Sequence, residues 1–306
     1  MSESTVRANG IDLAYETFGR VEDPPLVLVM GLGVQMLGWD QRFCEGLADR
    51  GHHVIRFDNR DVGHSTHLHG APRPNVLASY FGDHSSASYT LDDMADDTAG
   101  LIVALGLDSA HLVGVSLGGM IAQMVAVRHP ERVRSLASVM STTGAMDVGQ
   151  PNDAARAVLL MPPGAGREAT IERAVAVSQV TRSPGFAFDE DALRLRARQS
   201  WDRDHDPLGA GRQLVAILAS GDRTAALEGV AAPTVVVHGR SDPLIASSGG
   251  EATAKAIPGA ELDLIDGMGH DLPMGVWERL YANIARAVQR GEDARAAGWP
   301  TDEGRG

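Results

Sequence analysis

The sequence predicts an α/β chain: a mostly parallel, doubly wound sheet with a helical insertion seated over it. Three observations carry that expectation. Short, continuously apolar runs such as Leu26–Met30, Leu112–Val115 and Pro233–His238 have the pattern of strands buried on both faces, which is the pattern of parallel sheets. Helix-like stretches separate them, and strands alternating with helices imply a mostly parallel, doubly wound sheet. The third observation is the pentapeptide Gly114-Val115-Ser116-Leu117-Gly118, set directly after an apolar run and directly before a helical one. A serine there occupies a strand–turn–helix junction whose flanking glycines permit close backbone approach.

Taken in order, Ile11–Phe18 alternates apolar and polar residues like a half-buried edge strand, and Leu26–Met30 follows as an interior one. Phe43–Arg50 reads as a short helix leading to strand Val54–Phe57. Leu91–Leu105 reads as a longer helix started by Thr90, a good N-cap residue type. Leu112–Val115, Gly118–His129 and Val133–Val139 continue as strand, helix and strand. From Ser141 to Thr224 the pattern is helical without clear strands, broken by Met161-Pro162-Pro163-Gly164 and Ser183-Pro184-Gly185, which read as hinges. Strand Pro233–His238, strand Ala260–Ile265 and a closing helix near Val276–Arg290 complete the order, and the tail from Arg290 is expected to fray. The expected organisation is a core of residues 1–140 and 225–306 with a helical cap over 141–224.

Composition excludes several function classes. A chain of 306 residues with 43% apolar content can build a sizeable core, so a disordered role is not expected. Lys and Arg total 27 against 40 Asp and Glu, a net charge of −13 without a basic stripe, which argues against nucleic acid as a partner because phosphate binding needs clustered cations. The single cysteine, Cys44, permits no internal disulfide. The polar N-terminus lacks the pattern of a secretory signal, and the longest apolar segment, Leu26–Val34, falls short of the roughly 20 residues of a membrane span. The expectation is a cytoplasmic protein with no membrane span.

In open parallel sheets, sites gather at the carboxyl ends of strands, and four loops stand there: Gly31-Leu32-Gly33, Ser116, Gly239-Arg240-Ser241-Asp242-Pro243 and Gly267-Met268-Gly269-His270. A serine hydroxyl is a weak nucleophile that needs a base within reach, and the base needs an orienting acceptor. Ser116, His270 and Asp242 can fill those roles in the chain order Ser, Asp, His. That order, with the elbow, resembles the α/β-hydrolase superfamily, and the resemblance covers about Ile11 to Arg290. Val29-Met30-Gly31, Gly38-Trp39, Arg60-Asp61-Val62-Gly63-His64-Ser65, Asp242-Pro243 and Gly267-Met268-Gly269-His270 look similar to the actinobacterial aclacinomycin methylesterase group.

The resemblance implies the α/β-hydrolase fold and a two-step acyl transfer. In it Ser116 attacks an ester carbonyl, His270 moves the proton and Asp242 fixes the imidazole tautomer. It further implies an oxyanion hole formed by the main-chain N–H groups of Leu32 and Leu117. Many relatives carry His-Gly where this chain has Met30-Gly31, a change that removes a polar anchor from the oxyanion loop. Asp266 and Asp147 are alternative orienting acids, His238 reads as structural because it lies within a strand, and Arg60–Ser65 reads as a turn bracing the elbow. No cofactor is expected: the Gly31–Met36 stretch lacks the third glycine and acidic partner of a dinucleotide loop. No metal is expected either, since no His, Asp and Glu group has ligand spacing.

Apolar residues flank each candidate loop. Val34 and Met36 follow Leu32, Leu244 and Ile245 follow Asp242, and Leu272 follows His270, while the insertion can add Phe186, Phe188 and Trp201. An apolar pocket with few fixed charges suits a small, neutral, hydrophobic ester. Lactone opening, C–C cleavage or peracid formation on the same triad, and a catalytically silent binding module, are the alternatives. Oligomeric state has no sequence signal.

Overall fold

The computed structural model describes residues 3–298. Its sheet has eight strands: β1 (Ser4–Ala8), β2 (Ile11–Phe18), β3 (Pro25–Val29), β4 (His53–Phe57), β5 (Ala110–Val115), β6 (Val133–Val139), β7 (Thr234–Gly239) and β8 (Glu261–Ile265). Their spatial order is β1-β2-β4-β3-β5-β6-β7-β8. The β1–β2 and β2–β4 pairs are antiparallel and every later pair is parallel, so the predicted mostly parallel sheet is present with an antiparallel edge. The edge strand β1 lies in the polar N-terminus that the sequence left unassigned. Its residues are mostly exposed, so hydropathy gave no signal there, and pairing with β2 is what makes it a strand.

The helices in chain order are α1 (Gln41–Ala48), α2 (Val76–Tyr80), α3 (Leu91–Ala104), α4 (Leu117–Arg128), α5 (Asp153–Leu159), α6 (Arg167–Thr181), α7 (Glu190–Arg203), α8 (Gly209–Ser220), α9 (Thr224–Leu227), α10 (Ser248–Ala256) and α11 (Trp277–Ala296). The short α2 and the glycine-rich α10 are additions to the sequence reading. The tail expected to fray from Arg290 is helical to Ala296, because Val288 and Gly291 lie buried on the sheet; its last residues, 299–306, lie outside the described residues. Thr90 precedes α3 as expected, and its main-chain N–H donates to the Asp93 carboxylate at 2.8 Å.

Alternate residues of the interior strands feed two separate cores. Val27, Val29, Leu112 and Leu136 pack with α3 and α4 residues such as Met94, Ile102, Leu117 and Ile121. Leu26, Leu28, Val113, Val115 and Val237 pack on the other face with Phe43 and Leu47 of α1 and with Leu280, Ile284 and Val288 of α11. A strand buried on both sides has to be largely apolar, which is why β3 reads as an unbroken apolar run and β5 and β7 are apolar but for His111, Thr234 and His238, whose polar atoms find partners inside. Helices α5 to α9 all fall between β6 and β7 in the chain. Among the described residues no helix is long and apolar enough to cross a membrane.

Candidate active site

The turn between β5 and α4 forces Ser116 into a left-handed conformation, φ 57° and ψ −121°. Both flanking glycines are there by necessity. A Cβ on Gly114 would stand 2.1 Å from the Gly118 carbonyl oxygen, and one on Gly118 would stand 2.0 Å from that of Val29, distances at which no side chain fits. The strained turn is tied down on both sides of the peptide. Ser116 N–H donates to the Val139 carbonyl at 2.9 Å, and the Ser141 hydroxyl donates to the Ser116 carbonyl at 3.0 Å.

Three sequence-predicted side chains meet at this turn. His270 Nε2 lies 3.0 Å from Ser116 Oγ, and His270 Nδ1 lies 2.6 Å from Asp242 Oδ2. Asp242 is buried, and its other oxygen, Oδ1, accepts the main-chain N–H groups of Leu244 and Ile245, each at 2.9 Å. Burial alone would raise this carboxyl, but the His270 and His238 rings with their hydrogen bonds outweigh it and hold Asp242 well below the usual carboxylate range. The alternative acids stand elsewhere: the Asp266 side chain is 91% exposed and paired with Arg240, and Asp147 is exposed. His238 is buried within β7 as expected. It also has a contact that the sequence did not disclose, with Nε2 2.8 Å from the Ile245 carbonyl and 3.4 Å from Asp242 Oδ2.

The Gly31–Met36 loop passes close by the serine. A Cβ on Gly31 would lie 3.3 Å from Ser116 Cβ. Among the described residues, the main-chain N–H groups of Leu32 and Leu117 have no acceptor, and Leu117 opens α4, where helix N–H groups are free and the helix dipole is positive. Met30 cannot supply the polar anchor that a histidine would, yet the loop is firmly held. Asn59 Nδ2 donates to the Met30 carbonyl at 2.9 Å, Met36 N–H donates to Asp58 Oδ1 at 2.7 Å, and Gly33 N–H donates to Gln213 Oε1 at 2.8 Å. Gln213, on α8, is fully buried and gives its own Nε2–H to the Arg60 carbonyl at 2.8 Å. Gln35 likewise donates to the Ser200 and Asp204 carbonyls at 2.8 and 2.9 Å. None of these partners was visible in the sequence, because each bond joins residues far apart in the chain.

The Arg60–Ser65 segment is structural, but it braces the insertion and α3 more than the elbow. Asp61, held at φ 70°, accepts from Arg212 of α8 at 2.7 and 2.8 Å and from the Tyr89 hydroxyl at 2.7 Å, while Arg60 pairs with Asp97 of α3 at 2.5 Å. Folding also assembles a cluster that linear spacing could not reveal, with ligand atoms of Asp61, His67 and Asp206 all within 4.8 Å of one another. The Arg212 guanidinium bonds both carboxylates there, at 2.7 and 2.6 Å, so the positive charge those acids call for is already supplied by the chain.

The expected pocket residues divide by burial. Met36 is fully buried, and Ile245 belongs to the core face shared with α3 and α4. Val34 is 42% exposed beside Gly38. Leu244 is half-buried after Asp242. Phe186 and Leu272 pack at the margin of the α1–α11 core. Phe188 lies under the Arg182 guanidinium at 5.3 Å, and the Trp201 ring sits 3.8 Å from that of His205.

Residues 24–274 match the family model described as the alpha/beta hydrolase fold. The chain is 29% identical to rhodomycin D methylesterase of Streptomyces sp. strain C5, covering 93% of this chain and 97% of that one. It is 25% identical to 3-oxoadipate enol-lactonase 2 of Acinetobacter baylyi, covering 86% of this chain and 88% of the other. Among solved structures it is similar to a thermophilic esterase from Thermogutta terrifontis, with TM-score 0.70 at 24% identity over 95% of this chain and 99% of that one.

Proposed function

Because the chain belongs to the α/β-hydrolase fold family, we propose that it is a serine esterase that cleaves a neutral, hydrophobic carboxylic ester through an acyl-enzyme on Ser116. The observation that carries this reading is the continuous hydrogen-bond chain Ser116–His270–Asp242, with links of 3.0 and 2.6 Å; the main-chain N–H groups of Leu32 and Leu117, which have no acceptor among the described residues, support it. His270 takes the serine proton through Nε2 as Oγ adds to the carbonyl carbon, and the imidazolium so formed is stabilised by Asp242 at Nδ1. The developing oxyanion is received by the N–H groups of Leu32 and Leu117, donors that need no reorganisation because nothing else engages them. Collapse of the tetrahedral intermediate breaks the ester C–O bond, and His270 returns the proton to the departing alkoxide. Water then repeats the sequence on the acyl-enzyme, His270 again acting as base, and frees the acid.

The acyl and alcohol parts would lie against Val34, Leu244 and Leu272 and under Phe186, Phe188 and Trp201 of the segment 141–224, which acts as the cap. Such a lining favours uncharged substrates, since a charge carried into it loses hydration without a partner. The methylesterase relative favours a methyl ester, whose leaving alcohol is small. Lactone opening is the second reading, favoured by the enol-lactonase relative; it needs the same attack and differs only in that the leaving oxygen stays tethered.

A fluorophosphonate probe should label Ser116, as located by peptide mass spectrometry, and Ser116→Ala should lose both labelling and turnover of p-nitrophenyl and methyl esters. Labelling elsewhere, or activity retained in Ser116→Ala, would overturn the proposal. Turnover of lactones with negligible ester cleavage would replace it with the second reading.

A further inference from the structure

Three consecutive residues at and beside the base, Gly269, His270 and Asp271, are each bonded to Thr181 or Ser183 of the insertion. Gly269 N–H donates to Ser183 Oγ at 2.8 Å, and His270 N–H donates to the Thr181 carbonyl at 2.7 Å. Asp271 Oδ1 accepts the Ser183 N–H at 2.9 Å and also accepts the Ser183 hydroxyl. A fifth bond runs from Gly185 N–H to the Gly267 carbonyl at 2.9 Å. The two segments approach as closely as backbone allows: a Cβ on Gly269 would stand 2.6 Å from the carbonyl oxygens of both Thr181 and Arg182, and one on Gly185 would stand 2.7 Å from Gly267 Cα. Ser183 is 2% exposed, and its hydroxyl is fully used, its proton going to Asp271 and a lone pair to Gly269. The Ser183-Pro184-Gly185 break that reads as a hinge in the sequence is, in the fold, a clamp.

We propose that Ser183 is a positioning residue for His270, so that the insertion holds the geometry of the hydrolytic site as well as covering it. This inference rests on the triad reading above. Asp242 fixes the imidazole at one nitrogen only; where Nε2 falls relative to Ser116 Oγ is then set by the main chain of residues 269–271, and one buried hydroxyl grips that chain on both sides of the ring. Misplacement of a reacting group by about 1 Å can cost about 100-fold in rate, which sets the scale expected when the grip is lost.

The test compares Ser183→Ala, Ser183→Thr, Asp271→Ala and Asp271→Asn in the full chain, with Ser116→Ala and His270→Ala alongside. Read for each are kcat and KM on a p-nitrophenyl ester, the second-order rate of fluorophosphonate labelling, and the melting temperature. Ser183→Ala should lower kcat by about 10- to 100-fold with KM little changed, and should slow labelling by the same factor at temperatures where it is folded. Ser183→Thr, which keeps the hydroxyl, should recover most of that loss. Asp271→Asn, whose Oδ1 can accept both Ser183 bonds, should be faster than Asp271→Ala. A folded Ser183→Ala that labels at the wild-type rate, a rise in KM at unchanged kcat, or failure of Thr to rescue would overturn the inference. Should Ser183→Ala not fold, the Asp271 pair decides, and equal rates for Ala and Asn would overturn it. Turnover surviving in Ser116→Ala or His270→Ala would instead overturn the triad reading itself, whereas their loss beside an unaffected Ser183→Ala would overturn only the clamp.

Discussion

Asp242→Asn is the sharpest single test of the proposed mechanism, because the surroundings of the carboxylate dictate how the amide must sit. Oδ1 accepts two main-chain N–H groups, from Leu244 and Ile245 at 2.9 Å each, so an asparagine keeps its carbonyl oxygen there and must place its NH2 where Oδ2 was. That position faces His270 Nδ1 at 2.6 Å. An NH2 in that place donates to Nδ1, which fixes the ring with its proton on Nε2, the nitrogen that has to accept the Ser116 proton. The variant therefore keeps its shape and holds the wrong tautomer. It also sets a donor against His238 Nε2, 3.4 Å away in the wild type. The same tautomer fault costs about 10,000-fold in kcat in serine proteases, about 5 kcal/mol of barrier, and a loss of that order is expected here. The assay is kcat on a p-nitrophenyl ester near neutral pH, with the melting temperature measured in parallel to show that the variant is folded. A folded Asp242→Asn enzyme within tenfold of the wild-type kcat would refute the role given to Asp242.

Gln213→Leu should strip the partner from the Gly33 N–H and the Arg60 carbonyl together, lowering the unfolding free energy by about 1–3 kcal/mol in urea titration, a cost set by the unpaired Arg60 carbonyl because Gly33 is exposed and Arg60 buried. It should also reduce kcat more than it raises KM, because the Leu32 donor sits on the freed loop; an unchanged kcat would disconnect that loop from the chemistry. The Asp242 carboxyl is held below its unfolded value, so its contribution to stability is fully present above about pH 4 and is lost as pH falls through the folded value. The stability gap between wild type and Asp242→Asn, measured by denaturant titration, should accordingly narrow below pH 4, and a gap that widens there would contradict the assignment. Burial pushes the Cys44 thiol up to about 12, so the native protein should resist a thiol reagent at pH 8 and react only when unfolded; rapid modification of the folded protein would refute its placement in the core.

What the sequence determined by itself is the part of this protein that local chemistry specifies. The apolar runs of β3, β5 and β7 are legible because a strand covered on both faces must be largely apolar, and the elbow is legible because only glycine tolerates the approach of Gly114 and Gly118 to their neighbours. Ser116, Asp242 and His270 could be nominated because each follows a strand at the end of the sheet where sites collect. What the sequence left open was decided by packing. The tertiary structure buried Asp242 beside His270 and exposed Asp266, though both acids follow strands. It buried Met36 and Ile245, and it replaced the missing anchor at Met30 with Asn59, Asp58 and Gln213. The Arg212–Asp61 pair and the grip of Ser183 on the base loop belong to the same class. Each is a hydrogen bond or ion pair between groups whose separation along the chain carries no pattern, formed only because closing the sheet and seating the insertion left those polar groups without water and with one another.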